Sequence, residues 1–211
     1  MVKEKIIIIG LLEEANDKNT FKLLKKMFNF LGYSQNSVSK SSNFFIFNKE
    51  DSNILLIDIE SNTLSCLLKW GFQFDIIIHT SFDNLEFNSN KLKELVASSK
   101  YLIINSDDEK WTYLLNDNIT TIIITYGFNN KATINLSSFD KDDAIEANIC
   151  IQREIQTIDK KIVEPFELPV KINSREKINI YSILSVIACG IVMGIDFTNI
   201  NISLIYNRYQ K

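Results

Sequence analysis

The chain has 211 residues, 45% of them hydrophobic and 23% charged, ordinary values for a soluble globular protein and enough for a sizeable core in a single domain over 1–211. Its net charge is -3 and its lysines are scattered among acids, which argues against a basic surface for nucleic acid or anionic lipid. The three cysteines, Cys66, Cys150 and Cys189, lie far apart with no CxxC pair, which argues against a disulfide framework or a zinc site and fits a reducing cytoplasm.

In chain order, KIIIIG reads as a buried strand ending at Gly10. The apolar run behind VKEK is too short for the core of a signal peptide. LLEEANDKNT is a loop, and FKLLKKMFNFL is an amphipathic helix with Phe21, Leu24, Phe28 and Leu31 at helical spacing. NFFIFN, NILLIDI, FDIIIHT, YLIINS and TTIIITYG then read as strands, separated by the short helical stretches LSCLLKWG, KLKELVASS and DEKWTYLL. Cys66, in the first of these helices, and Cys189 have apolar neighbours and are expected to be small core residues. Most of the strands are continuous runs of Ile and Leu, the pattern of strands covered on both faces. Strand alternating with helix predicts an α/β fold with a mostly parallel sheet and right-handed crossovers.

The pattern changes at about 132–172. KATINLSSF and AIEANICIQREI alternate, with Ile145, Ala147, Ile149 and Ile151 on one face, and KIVEPFELPVKI holds both prolines, Pro165 and Pro169. This region predicts a small antiparallel extension at one edge. EKINIYSILSVIACGIVMGID is helical and ends at Gly194. Its apolar run, Ile183 to Ile195, falls short of the ~20 residues that span a bilayer, so a buried helix and no membrane insertion are expected.

Short polar stretches sit at the ends of these elements. They are Asn16-Asp17-Lys18-Asn19-Thr20 before the first helix, Asp58 and Ser61 in ILLIDIESNTL, and Thr80-Ser81 with Asp83-Asn84-Leu85-Glu86 after FDIIIH. Asn105-Ser106-Asp107-Asp108 and Thr125-Tyr126-Gly127 follow, then Asn179 and Met193-Gly194-Ile195-Asp196 around the last helix. In this order, over nearly the whole chain, they resemble the central ATPase domain of the Mur ligase superfamily, the amide ligases of peptidoglycan synthesis and their folylpolyglutamate synthase relatives. The corresponding family landmarks are T-G-T-N-G-K-T-T, E-V-S-S-H, T-N with D-H-L-D, N-x-D-D, T-[FY]-G and G-x-x-N-x-x-N.

The resemblance implies a P-loop-type fold and ATP-dependent formation of an acyl-phosphate that an amine then attacks, chemistry that depends on positioning and charge neutralisation. It implies nucleotide-binding positions at Gly10, Lys18, Thr20, Asn105 and Asn179, magnesium-binding positions at Asp58, Asp83 and Glu86, and ATP and magnesium as cofactors. Several letters depart from the pattern. Gly10 and Lys18 are eight positions apart, against about six in GxxxxGK[ST]. Asp17 stands at the second glycine and Asn19 follows the lysine. An acid beside a phosphate brings like charge, a non-glycine restricts the backbone bend that lets amides converge, and Glu13 and Glu14 add more negative charge. Asn62 and Asn84 replace histidines, Ser182 the second asparagine and Glu176 the glycine of the last motif. For the family's modified lysine, neither Lys93 nor Lys100 is assigned.

Beside these readings stand plainer ones. The loop is a solvated strand-to-helix connection with Asp17 or Asn19 as the N-cap, the acids are ordinary loop charge, and His79, the sole histidine, is a hydrogen-bonded core or rim residue. The sugar-nucleotide domain and the C-terminal Rossmann-type domain of the ligases have no counterpart in the resemblance, so a complete ligase is not expected from this polypeptide alone. The sequence therefore points to a degenerate, non-catalytic binding or scaffolding protein, with cell-wall synthesis proteins as partners. An alternative is an ATP-binding subunit of an amide ligase completed by a partner chain. A third reading is a small-molecule binder using the crevice at the carboxyl ends of the strands.

Overall fold

The computed structural model of the chain describes residues 5–13, 18–36, 43–81, 89–116, 120–141, 145–172 and 179–198. In chain order these form β1 (Lys5–Leu12), α1 (Asn19–Phe30), β2 (Ser34–Asn36), β3 (Phe44–Lys49), β4 (Ser52–Asp58), α2 (Ser61–Lys69), β5 (Ile76–His79), α3 (Ser89–Ala97) and β6 (Tyr101–Asn105). A 3-10 helix (Glu109–Leu114), β7 (Ile122–Tyr126), β8 (Ile134–Lys141), β9 (Ile145–Ile151), β10 (Ile155–Gln156), β11 (Ile162–Val163), β12 (Phe166–Ile172) and α4 (Ile180–Val192) follow.

Ten of these strands share one sheet in the order β12-β9-β8-β7-β6-β5-β1-β4-β3-β2. Its centre, β7-β6-β5-β1-β4, is parallel, as the continuous Ile and Leu runs predict. The antiparallel extension is β8, β9 and β12. It belongs to the same sheet, although β7 and β8 share only the Tyr126–Ile134 register pair. The other edge is also antiparallel: β3 runs against β4, and the polar β2 runs against β3. Gly32, at a φ of 86° after α1, turns the chain toward β2.

The sheet separates two hydrophobic layers. Ile7, Ile9 and Leu11 of β1 face α1 and α4 with Ile54, Leu56, Ile76, Ile78 and Ile103. Leu23, Leu24, Met27 and Phe28 are the buried stripe of α1, and Phe28 meets Phe47 edge to face at 5.1 Å. Leu12, Ile57, Ile77, Leu102 and Ile104 face α2, α3 and the 3-10 helix on the opposite side. α4 is buried from Ser182 to Val192, so its sequence is apolar on all sides. Among the described residues no helix is long and apolar enough to cross a membrane.

Three sequence expectations are corrected here. β1 does not end at Gly10 but runs to Leu12. A Cβ at Gly10 would lie 2.6 Å from Ile59 Cδ1 and 2.8 Å from the Phe74 ring, so close packing across the strand accounts for this glycine. Cys66 is exposed, because α2 buries Leu64 and Leu67 and turns position 66 outward. Cys189 is buried as expected, and burial pushes its thiol up. The last helix begins only at Ile180, with Asn179 as its N-cap.

Candidate functional site

The carboxyl ends of β1, β5, β6 and β4 lie side by side in register, pairing Leu11 with Asp58, Leu12 with His79, and His79 with Ile104. From β1 the chain crosses toward β4, and from β5 toward β6, so the sheet's switch point lies between β1 and β5. A crevice at that place is the usual ligand position in an open α/β sheet.

α1 opens into it. Its N-cap is Lys18, which supplies no side-chain cap. The N–H of Thr20 donates to Glu13 Oε1 at 2.7 Å, and the N–H of Phe21 to Glu13 Oε2 at 3.1 Å. One carboxylate from the end of β1 thus meets two of the four donors that a helix start leaves open, in the favourable field of the helix dipole. Asn19, one of the two expected caps, is instead the first residue of the helix, and Asp17, the other, lies outside the described residues. A phosphate at a helix start takes these same donors.

Lys18 reaches across to the last residue of β4, its Nζ 2.7 Å from Asp58 Oδ2. Burial holds the Asp58 carboxyl above the ordinary range, and the Lys18 bond and charge work against that rise. Asp58 Oδ1 is buried with no hydrogen-bond partner among the described residues. Thr20 is fully buried, and its hydroxyl donates to Ser182 Oγ of α4 at 3.0 Å. The residue at the second asparagine position of the family pattern therefore fastens α1 to α4.

Thr80 donates its N–H to Leu12 O at 3.0 Å. Asn105 donates from Nδ2 to Thr80 O at 3.0 Å and accepts the Asp107 N–H at 3.1 Å. His79 is fully buried, with Nε2 3.2 Å from Asp108 Oδ2. Burial lowers its pKa against the pull of Asp108. For Asp108 burial acts upward, but the His79 imidazole beside it and the hydrogen bond from the Lys110 N–H prevail and lower it. Asp107 holds the rim together by accepting the N–H of Phe128 at 2.5 Å, that of Asn129 at 3.2 Å and the Tyr181 hydroxyl at 3.2 Å. Its carboxylate would lie 2.6 Å from a Cβ at Gly127, whose φ is 148°, so this turn requires glycine. Asn179 accepts the Tyr181 N–H at 3.0 Å and caps α4.

Of the expected site residues, Lys18 and Asp58 meet directly, and Thr20 joins them through its place in α1. Asn105 lines the neighbouring strand end, and Asn179 sits beyond it on α4. Gly10 lies within the strand, two residues before its end. Asp83 and Glu86 are outside the described residues, among which no cluster of three or more His, Cys, Asp or Glu could hold a metal ion. Glu13, Ser182 and Asp107 were singled out only as charge or motif positions, and the long-range bonds they make were not read. The His79–Asp108 pair was within reach of the strand order, since β5 and β6 are neighbours.

No family model matches the chain, and no curated protein matches it in sequence. Among solved structures it superposes on a UDP-N-acetylmuramate:L-alanyl-gamma-D-glutamyl-meso-diaminopimelate ligase from Neisseria meningitides with a TM-score of 0.56 at 10% identity. The match covers 97% of this chain and 65% of that one, so the chain spans under two thirds of its neighbour's length. Apo elongation factor SelB from Methanococcus maripaludis aligns at a TM-score of 0.33 and 10% identity over 79% of this chain and 53% of that one, too poorly to establish a shared fold. The sheet order and the ligase superposition together give this chain a Mur-ligase-like fold.

Proposed function

We propose that the chain is a degenerate, non-catalytic relative of the peptidoglycan-type amide ligases, acting in the cytoplasm as a binding or scaffolding protein for cell-wall synthesis proteins. The Glu13 carboxylate on the Thr20 and Phe21 amides carries this reading. A polyphosphate needs those donors, a mobile lysine and a hydroxyl for magnesium. Here the amides hold a carboxylate, Lys18 is bound to Asp58, and the Thr20 hydroxyl points to α4. The residues as arranged do not fit ATP, and no catalytic step is derived through it.

A second reading, an ATP-binding subunit completed by a partner chain, is favoured by the Lys18–Asp58 pair and the unpartnered Asp58 Oδ1. On that reading Lys18, Thr20, Asn105 and Asn179 serve the nucleotide, and Asp58 serves magnesium with Asp83 and Glu86. Calorimetric titration with magnesium and ATP separates the two. The non-catalytic reading expects no heat of binding at millimolar ATP. Micromolar binding that disappears in Lys18→Ala would establish the second reading in its place.

A further inference from the structure

We propose that the chain forms a two-fold homodimer through the lower half of the sheet face beside α2. This surface is separate from the crevice, and the dimer is independent of whether the crevice takes a nucleotide.

The two faces of the same strands differ at this place. On the α1 side Ile7, Ile54 and Phe47 are buried. On the α2 side the register sets Ile8, Leu55 and Ile46 in one row, with Ile6, Asn53 and Asn48 in the row below. Ile6 is 57% exposed, and Ile8, Leu55 and Ile46 are half-buried. The topology explains the gap. A parallel crossover lays a helix over its strands, but β3 passes to β4 through a hairpin at Glu50 and Asp51, a connection that supplies no helix. α2, with nine residues, is about 13 Å long, roughly half the length of the strands beneath it. Its end leaves Trp70, 64% exposed, beside Phe72, with ring centroids 6.4 Å apart. Phe72 in turn meets Phe44 of β3 at 6.5 Å. Trp70, Phe72 and Ile8 line an open groove of about 560 Å³. Strands that are apolar on both faces call for cover on both, and an exposed apolar patch with a polar rim marks a contact surface.

The rim identifies the occupant. Asn36 donates to Asn48 at 2.7 Å and Asn48 to Asn53 at 2.6 Å, a neutral border on one side. On the other, Lys100 and Asp75 neutralise each other at 2.7 Å. Exposed charges of opposite sign stand at opposite ends of the strip, Lys69 next to Trp70, and Glu50 with Asp51 at the hairpin. An isologous contact sets a patch against itself. A two-fold axis between these ends places Lys69 of each copy opposite Glu50 and Asp51 of the other, with the apolar rows face to face. A partner with a strongly charged surface finds no matching field here. The patch is small beside the ~800 Å² per partner of a standard interface, so the dimer is weak and forms at a concentration on the order of tens of micromolar.

Sedimentation velocity of the full chain, from micromolar to submillimolar concentration, tests the dimer. The wild type shifts from monomer to dimer over that range. Ile6→Lys and Trp70→Ala, both at exposed positions, keep the folded circular dichroism spectrum and weaken dimerisation at least about tenfold, as for apolar anchors at the centre of a contact. Trp70→Ala carries the test if Ile6→Lys does not fold. Lys69→Glu weakens the dimer too, and adding Glu50→Lys and Asp51→Lys restores it, as only a contact of each patch with its own copy requires. A wild type that stays monomeric at submillimolar concentration would overturn the proposal and leave this face to a different protein. A dimer that the folded variants leave intact would overturn it as well, and so would one that the charge reversal fails to restore.

Discussion

α1 and α4 both begin at the carboxyl edge of the sheet and are joined there through Thr20 and Ser182, yet their amino ends are satisfied in opposite ways. α4 is closed locally, its N-cap Asn179 accepting the N–H two residues on, the ordinary short-range device. α1 has a lysine at its N-cap and takes its acceptor from Glu13, across a loop. The neutral end is a structural cap. The charged end instead gathers an anion and a cation of the chain's own at the helix start.

Substitutions at and around the two helix ends test this contrast. The largest effect is expected of Lys18→Ala, which leaves the buried Asp58 carboxylate without its counter-ion. Unfolding in urea at pH 7 should show a loss of about 1–3 kcal/mol. Burial already holds the Asp58 carboxyl above its unfolded value of 3.8, and losing Lys18 raises it further. The folded variant then binds that proton more readily than the unfolded chain, so its deficit shrinks as pH falls toward 4. A deficit that grows on acidification would show that Lys18 is not the counter-ion.

Gly10→Ala comes next, and it separates strand packing from the phosphate end. Its Cβ meets Ile59 and Phe74 below 3.0 Å, which should cost about 1–3 kcal/mol by overpacking and lower the melting temperature with no ligand present. An unchanged melting temperature would contradict the packing role.

Glu13→Ala and Asn179→Ala compare the two helix ends directly. Each should cost about 1 kcal/mol, but only the Glu13 effect rests on a charge at the helix dipole. Salt should therefore shrink the Glu13 effect and spare that of Asn179. Equal salt dependence would erase the distinction.

The smallest effect concerns His79, the buried last residue of β5. Burial holds its folded pKa below 6.5, so as pH falls through 6.5 the unfolded chain takes up a proton that the folded protein refuses. Stability should fall between pH 7 and 5.5 by at most about 1.4 kcal/mol per unit. His79 is the sole histidine, so a flat urea midpoint over that window would contradict its being buried and neutral.

The parallel centre of the sheet was legible because strands covered on both faces must be apolar throughout. FFIF announced β3 but not its direction, since an apolar run is silent about its partner. β2, Ser-Gln-Asn, has no apolar pattern and exists only because β3 offers an open edge. Cys66 misled because its neighbours in sequence are apolar while its face of α2 is not. At the site, Asn179 was read from the family motif, and its capping bond is local. Glu13 was read as charge hostile to phosphate, which left out that it can satisfy the phosphate's donors itself. The cap reaches seven residues forward to Thr20, beyond the spacing of any local capping motif.

The chain's own Glu13 carboxylate holds the α1 amides. A crystal structure of the wild-type protein grown with magnesium and a non-hydrolysable ATP analogue tests it most directly. Glu13 is expected within hydrogen-bond distance of the Thr20 and Phe21 amides, with no phosphate on them. A phosphate on those amides, with Glu13 turned away and Lys18 moved from Asp58 to the nucleotide, would contradict it.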